Sequence, residues 1–249
     1  MRNVLLVGHA LYVSPGPGLP VPGFDPLAAG LPRKSLKTMT RAVQLGVAAV
    51  LSAVAGVPGW AAVPPERRGL FVGASPQQGD VEDLAMAIEA SGPVPDLQAF
   101  AERGIPMVPP LWLVKGLSNN VLGYASALLD LRGDNGNWCD GRLGGAVALT
   151  NAVHSLAEGR VDVAIAGGAD ALLGAEPVLG VPCAEGAAFV VLVAEGVLPL
   201  AGRRVRSGVP VAPHAADPVG ELGAAAVPVA LVRALLAGGP VGVGGLTVG

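Results

Sequence analysis

Two cysteines and three histidines are the residues of this chain best suited to nucleophilic chemistry: Cys139, Cys183, His9, His154 and His214. A thiolate accepts an acyl group when an imidazole takes its proton or a helix N-terminus steadies its charge. Cys139 precedes Arg142 on an extended stretch with no histidine near it in sequence. Its expected role is a buried structural thiol, with a pairing to His154 or His214 as the catalytic alternative. Cys183 reads as packing, His154 as the surface of a helix and His9 as the end of the first strand. Two cysteines make neither a disulfide framework nor a CxxC metal site, so a reduced, cytoplasmic protein is expected. Gly167-Gly168 lacks a G-x-G-x-x-G setting and reads as a tight strand exit, not a phosphate loop. No metal and no cofactor is implied.

Strands and helices alternate along the chain. Short apolar runs at Val4–Val7, Gly69–Gly73, Asp162–Ala166, Gly186–Val193, Arg203–Val211 and Val241–Val248 predict strands. Helical spacing predicts helices over Lys37–Ala55, Asp80–Ala90, Asp96–Arg103, Leu117–Leu129, Gly144–Glu158 and Gly220–Ala237, with Asn135–Cys139 extended. Strands alternating with helices make a layered α/β protein. The uncharged apolar stretch from Ala42 to Pro65 is interrupted by Gly46, Gly56 and Pro58-Gly59, so it predicts a buried helix and no membrane span.

The 249 residues suffice for a substantial core, and composition narrows the function classes. Glycine (37) and proline (23) make up nearly a quarter of the chain, yet 51% is hydrophobic, which excludes a disordered Gly/Pro polymer. Sixteen basic against nineteen acidic residues argue against nucleic-acid binding. With only 14% charged residues, the chain is expected to bury much of its surface against a partner.

Four ordered motifs carry a resemblance to a known family. Gly159-Arg160-Val161-Asp162 through Gly167-Gly168-Ala169-Asp170 resembles the "G-x-x-D-x-x-x-x-G-G-x-[DE]" strand and turn of β-ketoacyl synthases. Pro109-Pro110-Leu111-Trp112 through Asn119-Asn120, then Gly123 and Leu131-Arg132-Gly133, resembles the run ahead of that family's nucleophile. Ala184-Glu185-Gly186-Ala187-Ala188 is similar to its "G-E-G-A-A" strand, and Leu222-Gly223-Ala224-Ala225 to the tail of "G-H-x-x-G-A-A-G". Arg33-Lys34-Ser35-Leu36-Lys37-Thr38-Met39-Thr40-Arg41 is similar to the basic lead into the first helix. The departures are equally specific. Counted back from Gly159, the family's nucleophile turn falls on Gly141–Gly145, with Arg142 at the cysteine and Gly220 at the histidine of the later motif. The segment carrying the other histidine has no counterpart between the Glu185 strand and Leu222.

The resemblance therefore implies a thiolase-like layered α/β/α/β/α fold with a shortened C-terminal half. Residues 1–195 would form the N-terminal half and 196–249 the truncated remainder, packed as one unit. It implies a catalytically inactive, chain-length-factor-like subunit that pairs with an active β-ketoacyl synthase, as a heterodimer or heterotetramer. Such a subunit shapes the acyl tunnel in polyketide, polyene or fatty-acyl elongation and meets acyl carrier protein through the complex. Trp112, Leu113, Asn119 and Tyr124 are its candidate tunnel residues; Asn135, Asn137, Trp138 and Cys139 are its candidate interface. Arg142, if unpaired, is disfavoured at a helix start by roughly 0.3–1 kcal/mol. Its expected partner is Asp140, Asp134 or a carboxylate of the other subunit, with extension into solvent as the alternative. Two rival readings stand beside this one: an active acyltransferase or condensing enzyme using Cys139, and a homodimeric module that binds an acyl chain or carrier protein.

Overall fold

Glu185–Ala194 is apolar almost without a break, and it forms a strand buried along its whole length. A strand buried on both faces needs cover on both sides, and the rest of the fold supplies it. The computed structural model describes residues 1–76, 81–94, 96–211 and 217–249. His214 and Asp80, the head of one expected helix, lie outside the described residues.

The strands are β1 (Val4–Val13), β2 (Arg68–Gly73), β3 (Asn135–Trp138), β4 (Val163–Ala171), β5 (Glu185–Ala194), β6 (Arg203–Ser207), β7 (Val241–Val243) and β8 (Leu246–Val248). They form one eight-stranded sheet in the order β3-β2-β4-β5-β1-β6-β8-β7. β2 runs parallel to β3 and β4, whereas β5 is antiparallel to both β4 and β1. The main helices are α1 (Arg41–Ala55), α2 (Ala85–Ser91), α3 (Asn120–Leu129), α4 (Gly144–Ala157) and α5 (Ala226–Leu236).

α1 and α3 cover one face, where Val43, Leu45, Val47 and Val50 meet Leu70, Ile165 and Phe189. α4 and α5 cover the other, where Leu149, Leu156, Leu231 and Val232 meet Phe71, Val190 and Leu192. Each such side chain contributes about 1.5–3 kcal/mol by leaving water. The expected α/β layering is present with one strand layer. The second strand layer of the α/β/α/β/α stack is not formed among the described residues. The residues after β5 instead add β6, β8 and β7 to the sheet edge at β1.

Several boundaries differ from the sequence expectation for identifiable reasons. β1 continues six residues past Val7 because β5 offers a partner as far as Val13. α1 starts at Arg41, not Lys37, because the Thr40 side chain accepts from Val43 N and caps it there. Val241–Val248 is not one strand but the hairpin β7–β8, turned by Gly244 and Gly245, both with positive φ. Gly167-Gly168 is not a strand exit: both lie inside β4, which runs to Ala171. The long Ser14–Pro32 loop is tied down by one buried carboxylate. Glu185 pairs with Arg41 (Nε to Oε2 2.9 Å) and accepts from Val21 N at 2.7 Å, while Phe24 lies under the Arg41 guanidinium.

Candidate functional site

The ends of β2 and β4, the start of α4 and the turn into α5 converge on one small region. Glycine permits the convergence. A Cβ on Gly168 would fall 2.4 Å from the Ala224 carbonyl oxygen, on Gly145 2.3 Å from that same oxygen, and on Gly73 2.4 Å from Gly145 N. Side chains at these points would force the helix starts off the strand ends.

Two carboxylates and one guanidinium lie in this region. Asp170, 2% exposed, takes a hydrogen bond from the Ser75 hydroxyl and others from Ala224 N (3.2 Å) and Ala171 N (3.1 Å). Burial pushes its carboxyl up to about 6 against those three bonds, and the nearby Glu221 charge adds to the rise. Glu221 accepts from Gly223 N at 2.9 Å and is held by backbone bonds to Pro182 and Ala184. Its other carboxylate oxygen lies 3.2 Å from Arg142 Nε. This corrects the expectation for Arg142: neither Asp140 nor Asp134 is its partner. Asp134 instead takes the Ser155 hydroxyl at 2.7 Å and Arg160 at 3.1 Å.

Arg142 sits in the single 3-10 turn Gly141–Leu143 that leads into α4. Gly220 does not belong to a helix, as expected from sequence, but to the approach to Glu221. It is buried with φ +115°, a conformation open to glycine, and a Cβ there would fall 2.9 Å from the Pro182 carbonyl oxygen. An imidazole at position 220 would collide with its own backbone surroundings.

The other candidates lie elsewhere. Among the described residues β3 is an edge strand paired only with β2, so its far side offers backbone groups without a strand partner there. Trp138 stacks on Phe71 at 6.2 Å between centroids, Asn135 is exposed, and Asn137 Nδ2 donates to Cys139 Sγ at 3.3 Å. Cys139 is exposed, against the expectation of a packed thiol, whereas Cys183 is buried. His154 is exposed ten residues into α4, roughly 15 Å along the axis from its start, and so remote from Cys139. The structure does not bring that thiol and that imidazole together.

Trp112 and Leu113 open the short helix Trp112–Lys115; Trp112 is half-buried and Leu113 is 71% exposed. Asn119 is exposed just ahead of α3, and Tyr124 on α3 hydrogen-bonds the Thr38 hydroxyl. Among the described residues Leu97, Ile105, Leu111, Val114 and Leu117 are exposed apolar side chains as well. Among the described residues no cluster of metal-ligating side chains occurs, and no helix is long and apolar enough to cross a membrane.

Sequence reasoning missed Glu221, Ser75 and the role of Asp170. Glu221 was within reach of it, since this acid directly follows Gly220, the position that motif spacing sets against the family's histidine. Ser75 carried no signal, because its bond to Asp170 depends on the parallel pairing of β2 with β4.

A family model described as the N-terminal domain of β-ketoacyl synthases matches residues 16–188. No curated protein sequence matches the chain. Solved structures do. One is a type II polyketide synthase acyl-carrier protein in complex with its ketosynthase bound to the hexaketide (AntDE:AntF), at 16% identity and TM-score 0.65 over 78% of this chain and 63% of that one. A second is the ishigamide ketosynthase/chain length factor, at 18% identity and TM-score 0.63 over 84% and 68%. A third is a β-ketoacyl synthase from Burkholderia phymatum STM815, at 21% identity and TM-score 0.59 over 78% and 59%. At these identities the likeness is one of fold, and the fold is the thiolase-like one of ketosynthases. The chain spans about three fifths of the length of the first and third of them.

Proposed function

The chain belongs to the β-ketoacyl synthase N-terminal-domain family, and from that premise we propose that it is a non-catalytic, chain-length-factor-like subunit. It pairs with an active ketosynthase and forms part of the wall of that enzyme's acyl tunnel. The observation that carries this reading is the Arg142–Glu221 ion pair. Decarboxylative condensation needs a thiolate to hold the acyl chain and donors to stabilise an enolate. At the helix start where the motif spacing puts that thiolate, this chain has a guanidinium with no acyl-accepting atom, neutralised by a carboxylate. The pair fills and charges the space that an apolar acyl chain would have to enter.

The exposed apolar side chains Leu111, Leu113, Val114 and Leu117 and, separately, the position of β3 at the sheet edge are consistent with a large partner. Asn135, Asn137, Trp138 and Cys139 form the edge that meets it. Trp112, Leu113, Asn119 and Tyr124 line the approach to the tunnel. Among the solved structures of this fold, one is a ketosynthase/chain length factor and another a ketosynthase with its acyl-carrier protein, and both pairings suit the reading. The chain supplies shape, not acid, base or nucleophile.

The reading is tested by reconstitution. The chain is co-expressed with a full-length ketosynthase from the same genome and supplied with malonyl- and acyl-loaded carrier protein. The expected result is condensation that needs both chains and a product length that depends on this one. Condensation by this chain alone would overturn the reading.

A further inference from the structure

Beyond β1 the sheet has one packed face and one bare one. Val205, Val241, Leu246 and Val248 join the core that α4 and α5 cover. On the other face Arg204, Arg206, Gly242 and Thr247 are all exposed. Arg204 stands opposite Leu5, which packs with α1, so this is the side that α1 and α3 cover farther along the sheet. A groove of about 610 Å³ lies there, the size of a small-molecule site. Gly202, Gly242 and Gly249 leave backbone bare along it, and Arg204, Arg206 and Thr247 are its polar side chains.

Arg206 faces Thr247 directly in the register, and Thr247 faces Gly242. Guanidinium, hydroxyl and open space thus lie in one row across three strands, since a Cβ on Gly242 would meet nothing within 4 Å. Charge in the groove is one-sided. β6 has three arginines, and no aspartate or glutamate occurs from Gly196 to Ala216 or from Leu222 to Gly249. Arg203 is engaged by the carbonyls of Gly239 and Val248. Arg204 meets one carboxylate, Glu195 at 3.3 Å, in an exposed pair that holds it only weakly. Among the described residues Arg206 has no ion pair and no side-chain hydrogen bond.

We propose that this groove binds a diphosphate group. Arg204 and Arg206 each take one phosphoryl group, and the Thr247 hydroxyl donates to the one at Arg206. Two residues apart on a strand, the arginines are rooted about 7 Å from each other and face the same side. A guanidinium fork matches phosphate oxygens bidentately, and two forks at that spacing suit two linked phosphates better than one carboxylate. The glycines let the anion approach the backbone, and the groove has room for an organic group beyond it. The proposal does not rest on the subunit reading, since β6, β8 and β7 stand at the sheet edge opposite β3. It is also remote from the Arg142–Glu221 pair. β6 meets Val4, which pairs with Ala194, and the ten residues of β5, about 30 Å, separate that point from the end beside Asp170.

The experiment titrates the full chain calorimetrically with inorganic diphosphate, ADP and citrate in metal-free buffer. The wild type is expected to bind diphosphate saturably, with a Kd below about 1 mM and about tenfold tighter than citrate. R204Q/R206Q is expected to lose about tenfold or more in affinity. R206Q alone, which breaks no side-chain contact within the described chain, loses several-fold. G242V puts its side chain into the open groove and weakens binding with both arginines in place. R132Q, the control at an exposed arginine ahead of β3, binds as the wild type does. ADP bound as tightly as the free ion assigns the site to an organic diphosphate, and exclusion of ADP assigns it to inorganic diphosphate. No saturable diphosphate binding, citrate binding as tight, or an unchanged affinity in any of the three groove variants would each overturn the proposal. Binding is read without condensation, so its failure leaves the subunit reading standing.

Discussion

Arg142 Nε lies 3.2 Å from a carboxylate oxygen of Glu221, so the helix start that would present a nucleophile is joined to the residue beside Gly220. The carboxylate's other oxygen caps the turn into α5 through Gly223 N. One acid thus neutralises a guanidinium and ties two helix starts together.

The pair predicts how a restored thiol behaves. In Arg142→Cys the new thiol faces the Glu221 carboxylate, which raises its pKa above about 8.5 and leaves it weakly reactive. Condensation is not regained, since the family's histidine position is Gly220 and among the described residues no histidine stands beside the thiol. Adding Glu221→Gln lowers the thiol pKa again. Alkylation rate against pH reads both shifts. Breaking the half-exposed pair alone costs about 1–2 kcal/mol in denaturant unfolding.

Stability depends on pH through two carboxylates of opposite tendency. Burial lifts Asp170 from its ordinary 3.8 to about 6. The folded chain therefore holds that proton more tightly than the unfolded one. Its contribution is complete below about 4 and is lost as pH rises through about 6, by roughly 3 kcal/mol. Asp162 runs the other way: hydrogen bonds from Arg67 and then Arg2 lower it to about 2. Its contribution is present above 3.8 and is lost as pH falls towards 2. Asp170→Asn should flatten the dependence between pH 4 and 6 while keeping the acid limb. Urea unfolding across that range measures it.

Trp112 separates a tunnel role from a packing role. It is half-buried at the start of a short helix in which Leu113 and Val114 are exposed. Trp112→Ala should lengthen the product of the reconstituted pair by removing bulk at the tunnel end, with the yield of complex largely kept. A core role would instead cost roughly 3–5 kcal/mol and lower that yield. Product masses beside complex yield decide it.

Much of this was legible in the sequence because periodicity and capping are local. The apolar run at β5 and the helix after Gly144 follow from neighbouring residues, whereas the Thr40 cap that starts α1 at Arg41 instead of Lys37 was passed over. The extension of the sheet past β1 was not legible, because β6 joins that edge across two hundred residues of chain. Gly167-Gly168 misled for the same reason: these glycines serve a close approach by Phe189 and Ala224, which sequence spacing does not display. Arg142 was placed at the nucleophile turn by motif spacing, but its partner came from a turn nearly eighty residues later.

The most direct measurement is intact-mass and native mass spectrometry of this chain co-expressed with a full-length ketosynthase and given acyl-loaded carrier protein. The account predicts a complex with equal numbers of the two chains, with the acyl group on the ketosynthase and none on Cys139 or elsewhere on this chain. A stable monomer that ignores the ketosynthase, or an acyl adduct on Cys139, would contradict it.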